Sequence, residues 1–148
     1  MSEYTVTKIQ AQPRTLAAVR ARIPLGQVSA HIREMLGKVY AAGLQLDGQN
    51  VAVYRPSGDK MLDVEFGVGL KGPFAPNGDV VRVETPSGMV ATTTHVGDYG
   101  KMGQAHDAVK QWCKQQGLAL AGPSWEVYGH MIKGVPPRTD VYWLLEIA

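Results

Sequence analysis

Residues 125–128 read Trp-Glu-Val-Tyr, and their β-branched and aromatic content predicts a strand. Alternate side chains of a strand share a face, so Glu126 and Tyr128 point one way and Trp125 and Val127 the other. A carboxylate beside a phenol among apolar neighbours has few options. Left ionised and uncompensated it costs several kcal/mol even after relaxation. Such an acid takes up a proton or is reserved for a cation. A delocalised cation stacked on a tyrosine face gains roughly 0.5–2 kcal/mol per good contact. That scale suits loose binding of several flat, lipophilic cations better than recognition of one. The plain alternatives are that Glu126 is solvated or paired to Arg138 or Lys133, and that Tyr128 merely edges the core.

Other chemistry finds less support. Gly67-Val68-Gly69-Leu70-Lys71-Gly72 matches G-x-G-x-x-G, but Pro73, Pro76 and a further strand follow it. Without a helix N-terminus there is no cradle for a phosphate, and no nucleotide cofactor is expected. His31, His95, His106 and His130 lack metal-ligand spacing, and the single cysteine, Cys113, cannot complete a zinc site, so no metal is expected. His106 and Asp107 are adjacent on a helix and face different directions. No nucleophile elbow supports a serine triad. Net charge is +2 from 15 basic and 13 acidic residues, scattered without a basic run, which argues against direct nucleic-acid binding. Residues 1–9 contain no apolar signal segment, and no stretch has the roughly 18 apolar residues of a membrane span. Lone Cys113 fits a reducing compartment, so a cytoplasmic protein with no membrane partner is expected.

The elements that must position these groups come as a repeat. Gly43-Leu44-Gln45-Leu46-Asp47-Gly48 and Gly117-Leu118-Ala119-Leu120-Ala121-Gly122 share the form G-L-x-L-x-G, 74 residues apart in a chain of 148. In that register Val53-Tyr54 falls on Val127-Tyr128, Pro13 on Pro86 and Asp63-Val64 on Asp140-Val141 with small indels. Four landmarks in matching order indicate duplication. Residues 4–10 and 15–21 predict strands around the turn Gln12-Pro13-Arg14. A helix follows over 24–42, with Val28, Ile32, Met35, Leu36 and Val39 at helical spacing, stopped by Gly43. Strands are predicted over 51–54 and 62–68. The second half repeats this with strands over 80–84 and 89–95 around Pro86-Ser87-Gly88. Its helix spans about 101–116, with Met102, Ala105, Val109, Trp112 and Cys113 on one face, and strands over 125–130 and 139–147 close the chain. The expected fold is α+β: two pseudo-symmetric halves, about 1–72 and 79–148, each an antiparallel sheet backed by one main helix. Gly67–Gly78 is expected to join them, and the whole forms a single domain.

Four segments carry a family resemblance: Asp63-Val64-Glu65-Phe66-Gly67-Val68; His95-Val96-Gly97-Asp98-Tyr99; Gly122-Pro123-Ser124-Trp125-Glu126-Val127-Tyr128; and Arg138-Thr139-Asp140-Val141. In these the chain resembles the GyrI-like effector-binding domains, the ligand-sensing parts of many AraC-type and MerR-type multidrug regulators, which also occur alone. The resemblance implies paired β-α-β-β halves, an SHS2-like duplication, and a pocket at their junction with one central acid among aromatics. Glu126 matches that acid. The first half places Ala52 and Tyr54 at the positions of Glu126 and Tyr128, giving two tyrosines and one carboxylate. Tyr99 and Phe66 are candidates for the same cavity or for core packing. Trp143, between Val141 and Leu145, is a further candidate with core packing as its alternative. No helix-turn-helix is expected in this chain, so a transcriptional role would need a partner. The favoured function is binding of flat aromatic, cationic compounds by a stand-alone module. The enzymatic alternative is a hydrolase of reactive cyclopropane-containing natural products, which the resemblance also implies. In it Glu126 would be the general base and Tyr54 or Tyr128 would polarise the carbonyl. Inhibition of a protein partner such as gyrase is a third reading, and the residues leave a homodimer open.

Overall fold

The structure is a computed structural model, and it describes residues 4–24, 26–130 and 132–146. Among the described residues there are eight strands and two α-helices, and the strands within each unit pair antiparallel, so the α+β class is as expected. The chain separates into two compact units, one made of 13–85 and the other of 1–12 with 86–148.

The unit Pro13–Thr85 holds β2 (Thr15–Pro24), α1 (Ser29–Ala41), β3 (Leu46–Pro56), β4 (Met61–Leu70) and β5 (Val80–Glu84). Its strand order is β3-β4-β2-β5. The apolar residues of β2 and β4, among them Leu16, Ile23, Val64, Phe66 and Val68, are buried, as are Met35 and Val39 of α1. Gly67 stands opposite Ala18, and a Cβ there would meet the Ala17 carbonyl oxygen at 2.7 Å. Close approach of β2 and β4 therefore explains the glycine that the G-x-G-x-x-G pattern begins with. Gly67 and Gly69 lie inside a strand, and the absence of a phosphate loop follows.

The other unit holds β1 (Thr7–Ala11), β6 (Gly88–Val96), a short 3-10 turn (Tyr99–Lys101), α2 (Met102–Gln116), β7 (Leu120–Tyr128) and β8 (Arg138–Leu145). Its order is β1-β6-β8-β7. Helical spacing places Met102, Ala105, Val109 and Cys113 in one core with Ala91, Val141 and Leu145, and Trp112 packs against it. Burial pushes the Cys113 thiol above its ordinary pKa, as befits an inert core residue. Gly117 ends α2 in the left-handed conformation at φ 71°, which a residue without Cβ adopts at little cost.

Two hairpins read from the sequence do not form. β1 pairs with β6, Thr7 opposite Thr92, instead of turning back on β2. Likewise β5 pairs with β2, Val80 opposite Val19, and not with β6. Residues 12–14 and 85–87 run without a turn. Pro13 and Pro86 bias the residues before them toward extended backbone, so the chain continues onward where a reversal was expected. The Gly/Pro-rich segment 67–78 consequently lies inside the unit Pro13–Thr85, and the chain crosses between units at residues 12/13 and 85/86. Element ends also differ. The first helix starts at Ser29, later than 24, and β7 starts at Leu120, earlier than 125, through an irregularity between Leu120 and Ser124 that accommodates Pro123. The expected end of the last strand at Ile147 lies outside the described residues.

Candidate functional site

Glu126 lies on β7 opposite Val141 of β8, and it is buried, with 7 % of its surface exposed. Tyr128, two residues on, donates its hydroxyl hydrogen to Glu126 Oε1. Strand alternation foresees this shared face. The opposite face carries Trp125, stacked on Tyr142 with ring centres 5.3 Å apart and planes 13° from parallel.

The second partner of the carboxylate comes from the helix. His106 Nε2 lies 2.6 Å from Glu126 Oε2. His106 is four residues after Met102 and three before Val109, so it flanks the buried stripe of α2 and faces the sheet. Trp143 of β8 then approaches from behind: its Nε1 donates to His106 Nδ1 at 3.0 Å. The two rings are nearly perpendicular, at 82°, with centres 5.8 Å apart. The ammonium of Lys110, one helical turn past His106, sits 4.9 Å above the centre of the Trp143 ring.

Tyr99 approaches Tyr128 edge to face, centres 5.7 Å apart, and its own side is 45 % exposed. A local clamp fixes this corner. Asp98 accepts a hydrogen bond from the Gly100 amide through Oδ1, and its carbonyl oxygen lies 2.8 Å from Nε2 of buried His95. His95 Nδ1 in turn is 2.8 Å from the Tyr4 hydroxyl. Thr139, directly opposite both Tyr128 and His95 in register, is 1 % exposed. Its hydroxyl is, among the described residues, a buried side-chain oxygen with no hydrogen-bond partner.

Four of the six sequence candidates, Glu126, Tyr128, Tyr99 and Trp143, thus gather in one unit. Tyr54 and Phe66 occur together in the unit Pro13–Thr85, edge to face at 6.3 Å and 87°. Phe66 is fully buried, so its ring orients Tyr54 and offers no surface of its own. Trp143 is neither plain core nor simple lining, because its N–H is spent on His106. The residue that sequence reasoning misses is His106. Judged by metal spacing and by its neighbour Asp107 it looks idle, yet its position on the helix stripe was readable. Among the described residues no group of His, Cys, Asp and Glu side chains could hold a metal ion.

Another buried acid provides a contrast within the unit Pro13–Thr85. Glu65 of β4 binds Arg20 Nε at 2.9 Å through Oε2 and Arg55 Nη1 at 2.7 Å through Oε1. These residues line an open groove of about 390 Å³ with Arg22 and Asp63. Glu126 is not part of that groove. Two guanidinium groups hold Glu65, whereas a phenol and an imidazole hold Glu126.

Antiparallel strands backed by one helix in each unit place this chain among small-molecule-binding domains. The chain belongs to the GyrI-like small-molecule-binding domain family, whose model matches residues 4–142. Solved structures share the fold. The EcmrR C-terminal domain superposes with a TM-score of 0.78 at 19 % identity, covering 99 % of both chains. SAV2435 bound to tetraphenylphosphonium gives 0.66 at 17 % identity, covering 97 % of this chain and 94 % of that one. A hydrolase from Listeria innocua gives 0.61 at 12 % identity, covering 99 % and 94 %. No curated protein matches the sequence. Among the described residues no helix is long and apolar enough to cross a membrane.

Proposed function

We propose that the chain binds flat or propeller-shaped lipophilic organic cations, with Glu126 as the counter-charge and tyrosine rings as the apolar walls. The observation that carries this reading is the buried Glu126 carboxylate held by Tyr128 and His106, beside the half-exposed ring of Tyr99. A family of small-molecule-binding domains and a neighbour solved with tetraphenylphosphonium support it. Tyr128 and Tyr99 supply rings, and Trp143 supports the site through His106. The unit Pro13–Thr85 carries an aromatic pair of its own, Tyr54 edge to face with Phe66. The matching strand orders β1-β6-β8-β7 and β5-β2-β4-β3, each with one helix, favour a single domain duplicated from one β-β-α-β-β ancestor in SHS2-like manner. The exchange of β1 and β5 is then part of the duplicated plan. The module acts on a small molecule, without itself touching nucleic acid, in the cytoplasm.

A unit cation about 5 Å from a carboxylate gains roughly 3 kcal/mol at an effective dielectric of about 20, before its desolvation is subtracted. Glu126→Gln keeps the shape and removes the charge. Its affinity for tetraphenylphosphonium should fall about ten- to a hundred-fold in a fluorescence or calorimetric titration, while affinity for neutral triphenylphosphine oxide changes little. Equal loss for both ligands, or for neither, would show that Glu126 is not the counter-charge.

Hydrolysis is the second reading. Tyr128 and His106 hold both oxygens of Glu126, an arrangement that can also orient a general base toward water. The fold is shared with a hydrolase. Turnover of a cyclopropane-containing electrophile, abolished by Glu126→Gln, would favour it over binding alone.

A further inference from the structure

In the unit Pro13–Thr85 arginines gather on one face of three paired strands. Across β2 and β4, Arg20 stands opposite Glu65 and Arg22 opposite Asp63. From the other side of β4, Arg55 of β3 also stands opposite Asp63. Residues two apart on a strand share a face, so Arg20 projects with Arg22 and Asp63 with Glu65. All five line the open groove of about 390 Å³, a volume within the roughly 300–1,000 Å³ of small-molecule sites.

The cations outnumber the acids. Glu65 is buried and accepts one N–H from Arg20 at 2.9 Å and another from Arg55 at 2.7 Å, although one guanidinium would balance its charge. Arg22 donates to the Ser57 carbonyl oxygen at 2.9 Å, in the turn between β3 and β4. Asp63, between Arg22 and Arg55 in register, forms no ion pair with either among the described residues. The groove thus carries three positive charges and two negative ones, and one of the negative charges is buried.

A guanidinium has five N–H donors, and each of these three spends one in the bonds just named, so most of their donors remain for a ligand. Those same bonds hold the side chains in place, which reduces the rotamer freedom lost when a ligand arrives. Because Arg20 and Arg55 sit on the two oxygens of one carboxylate, they also stand close to each other.

The geometry points to a further ligand site: this groove binds the carboxylate or phosphate group of a small organic anion. Arg20, Arg22 and Arg55 are its binding residues, and Glu65 positions two of them. The planar arginine fork suits that task, since it meets two oxygens of one anion at once. The site differs from that of Glu126 in its residues and in the sign of the charge it takes. Asp63 repels the same anion, so removing it should tighten binding where removing an arginine loosens it.

The test titrates phenyl phosphate into the full chain by calorimetry, with neutral benzyl alcohol as the control and nitrogen-15 spectra to locate the contact. Phenyl phosphate should shift the amides of residues 20–22, 55 and 63–65, and benzyl alcohol should not. Arg22→Met and Arg20→Met should each weaken phenyl phosphate about five-fold, and Asp63→Asn should strengthen it about three-fold, as befits single charges near a solvated anion. Raising salt from about 20 mM to about 200 mM should weaken it several-fold. Arg22 and Asp63 are exposed, so their variants decide the matter even if Arg20→Met fails to fold. No binding of phenyl phosphate at about 10 mM would overturn the inference. Equally fatal would be an affinity unmoved by Arg22→Met, or one that Asp63→Asn leaves unchanged or weakens. A short DNA duplex that binds more tightly than phenyl phosphate, and loses affinity in the same arginine variants, would assign the groove to a nucleic-acid backbone and overturn the small-anion ligand.

Discussion

Glu65 allows the electrostatic reasoning to be tested where no ligand is needed. Its side chain is 8 % exposed, and its two partners differ: the Arg20 side chain is 63 % exposed and the Arg55 side chain 37 %. Replacing each arginine with methionine keeps most of the alkyl packing and removes the charge. Arg20 is largely solvated, so screening discounts its pair to the surface range, about 0.5–1 kcal/mol. Arg55 is closer, at 2.7 Å, and less exposed, which places its loss at about 1–2 kcal/mol. Either single variant leaves one guanidinium on Glu65. The double variant leaves neither, and removing the partners of a buried charge costs about 3–5 kcal/mol. The double should therefore cost about 1.5–2 kcal/mol more than the two singles together, a further midpoint drop of roughly 5 °C for a chain of this size. Urea denaturation of the four proteins measures this coupling. Glu65→Met added to the double should recover part of the loss, because it removes the stranded charge and not merely a contact. Strictly additive singles, or a triple variant no more stable than the double, would refute the account of Glu65 as an acid neutralised by its own arginines.

Three further substitutions probe packing within the two units. Gly67→Ala should destabilise by about 1–3 kcal/mol, because its Cβ meets a backbone carbonyl at 2.7 Å. Gly69→Ala should cost less, since its obstacle is the Asp47 carboxylate, which can swing aside; thermal denaturation of the pair compares them. Thr139→Val replaces a buried hydroxyl without a partner by a methyl, so the protein should be unchanged or stabilised by up to about 1 kcal/mol. A loss above about 1 kcal/mol in urea denaturation would reveal a hydrogen bond to that hydroxyl.

What the sequence made legible follows from period and chemistry. The helix stripe Met102, Ala105, Val109 and Cys113 is core, and Gly117 ends α2 with positive φ. Alternation along residues 125–128 put Glu126 with Tyr128, and the two are hydrogen-bonded. The failures are equally physical. Turn chemistry around Pro13 and Pro86 resembles that of hairpins, but local residues do not determine which distant strand an extended segment joins. β1 finds β6 and β5 finds β2 because those edges are vacant for them, a fact of tertiary structure. The strand expected from residue 125 begins at Leu120, because an irregular stretch before Ser124 tolerates Pro123.

His106 shows most clearly where one-dimensional reading stops. Its helical position was available, but its importance depends on two partners 20 and 37 residues away in sequence. Pattern assigns a side chain to a face; only the fold reveals what that face meets. The distinction matters because the two buried glutamates look alike as sequence, each inside an apolar strand. Glu65 meets arginines, and its charge is answered by fixed cations. Glu126 meets Tyr128 and His106, a phenol at one oxygen and an imidazole at the other. Behind the imidazole stands Trp143, whose N–H donates to His106 Nδ1 and whose hydrophobicity alone would assign it to the core.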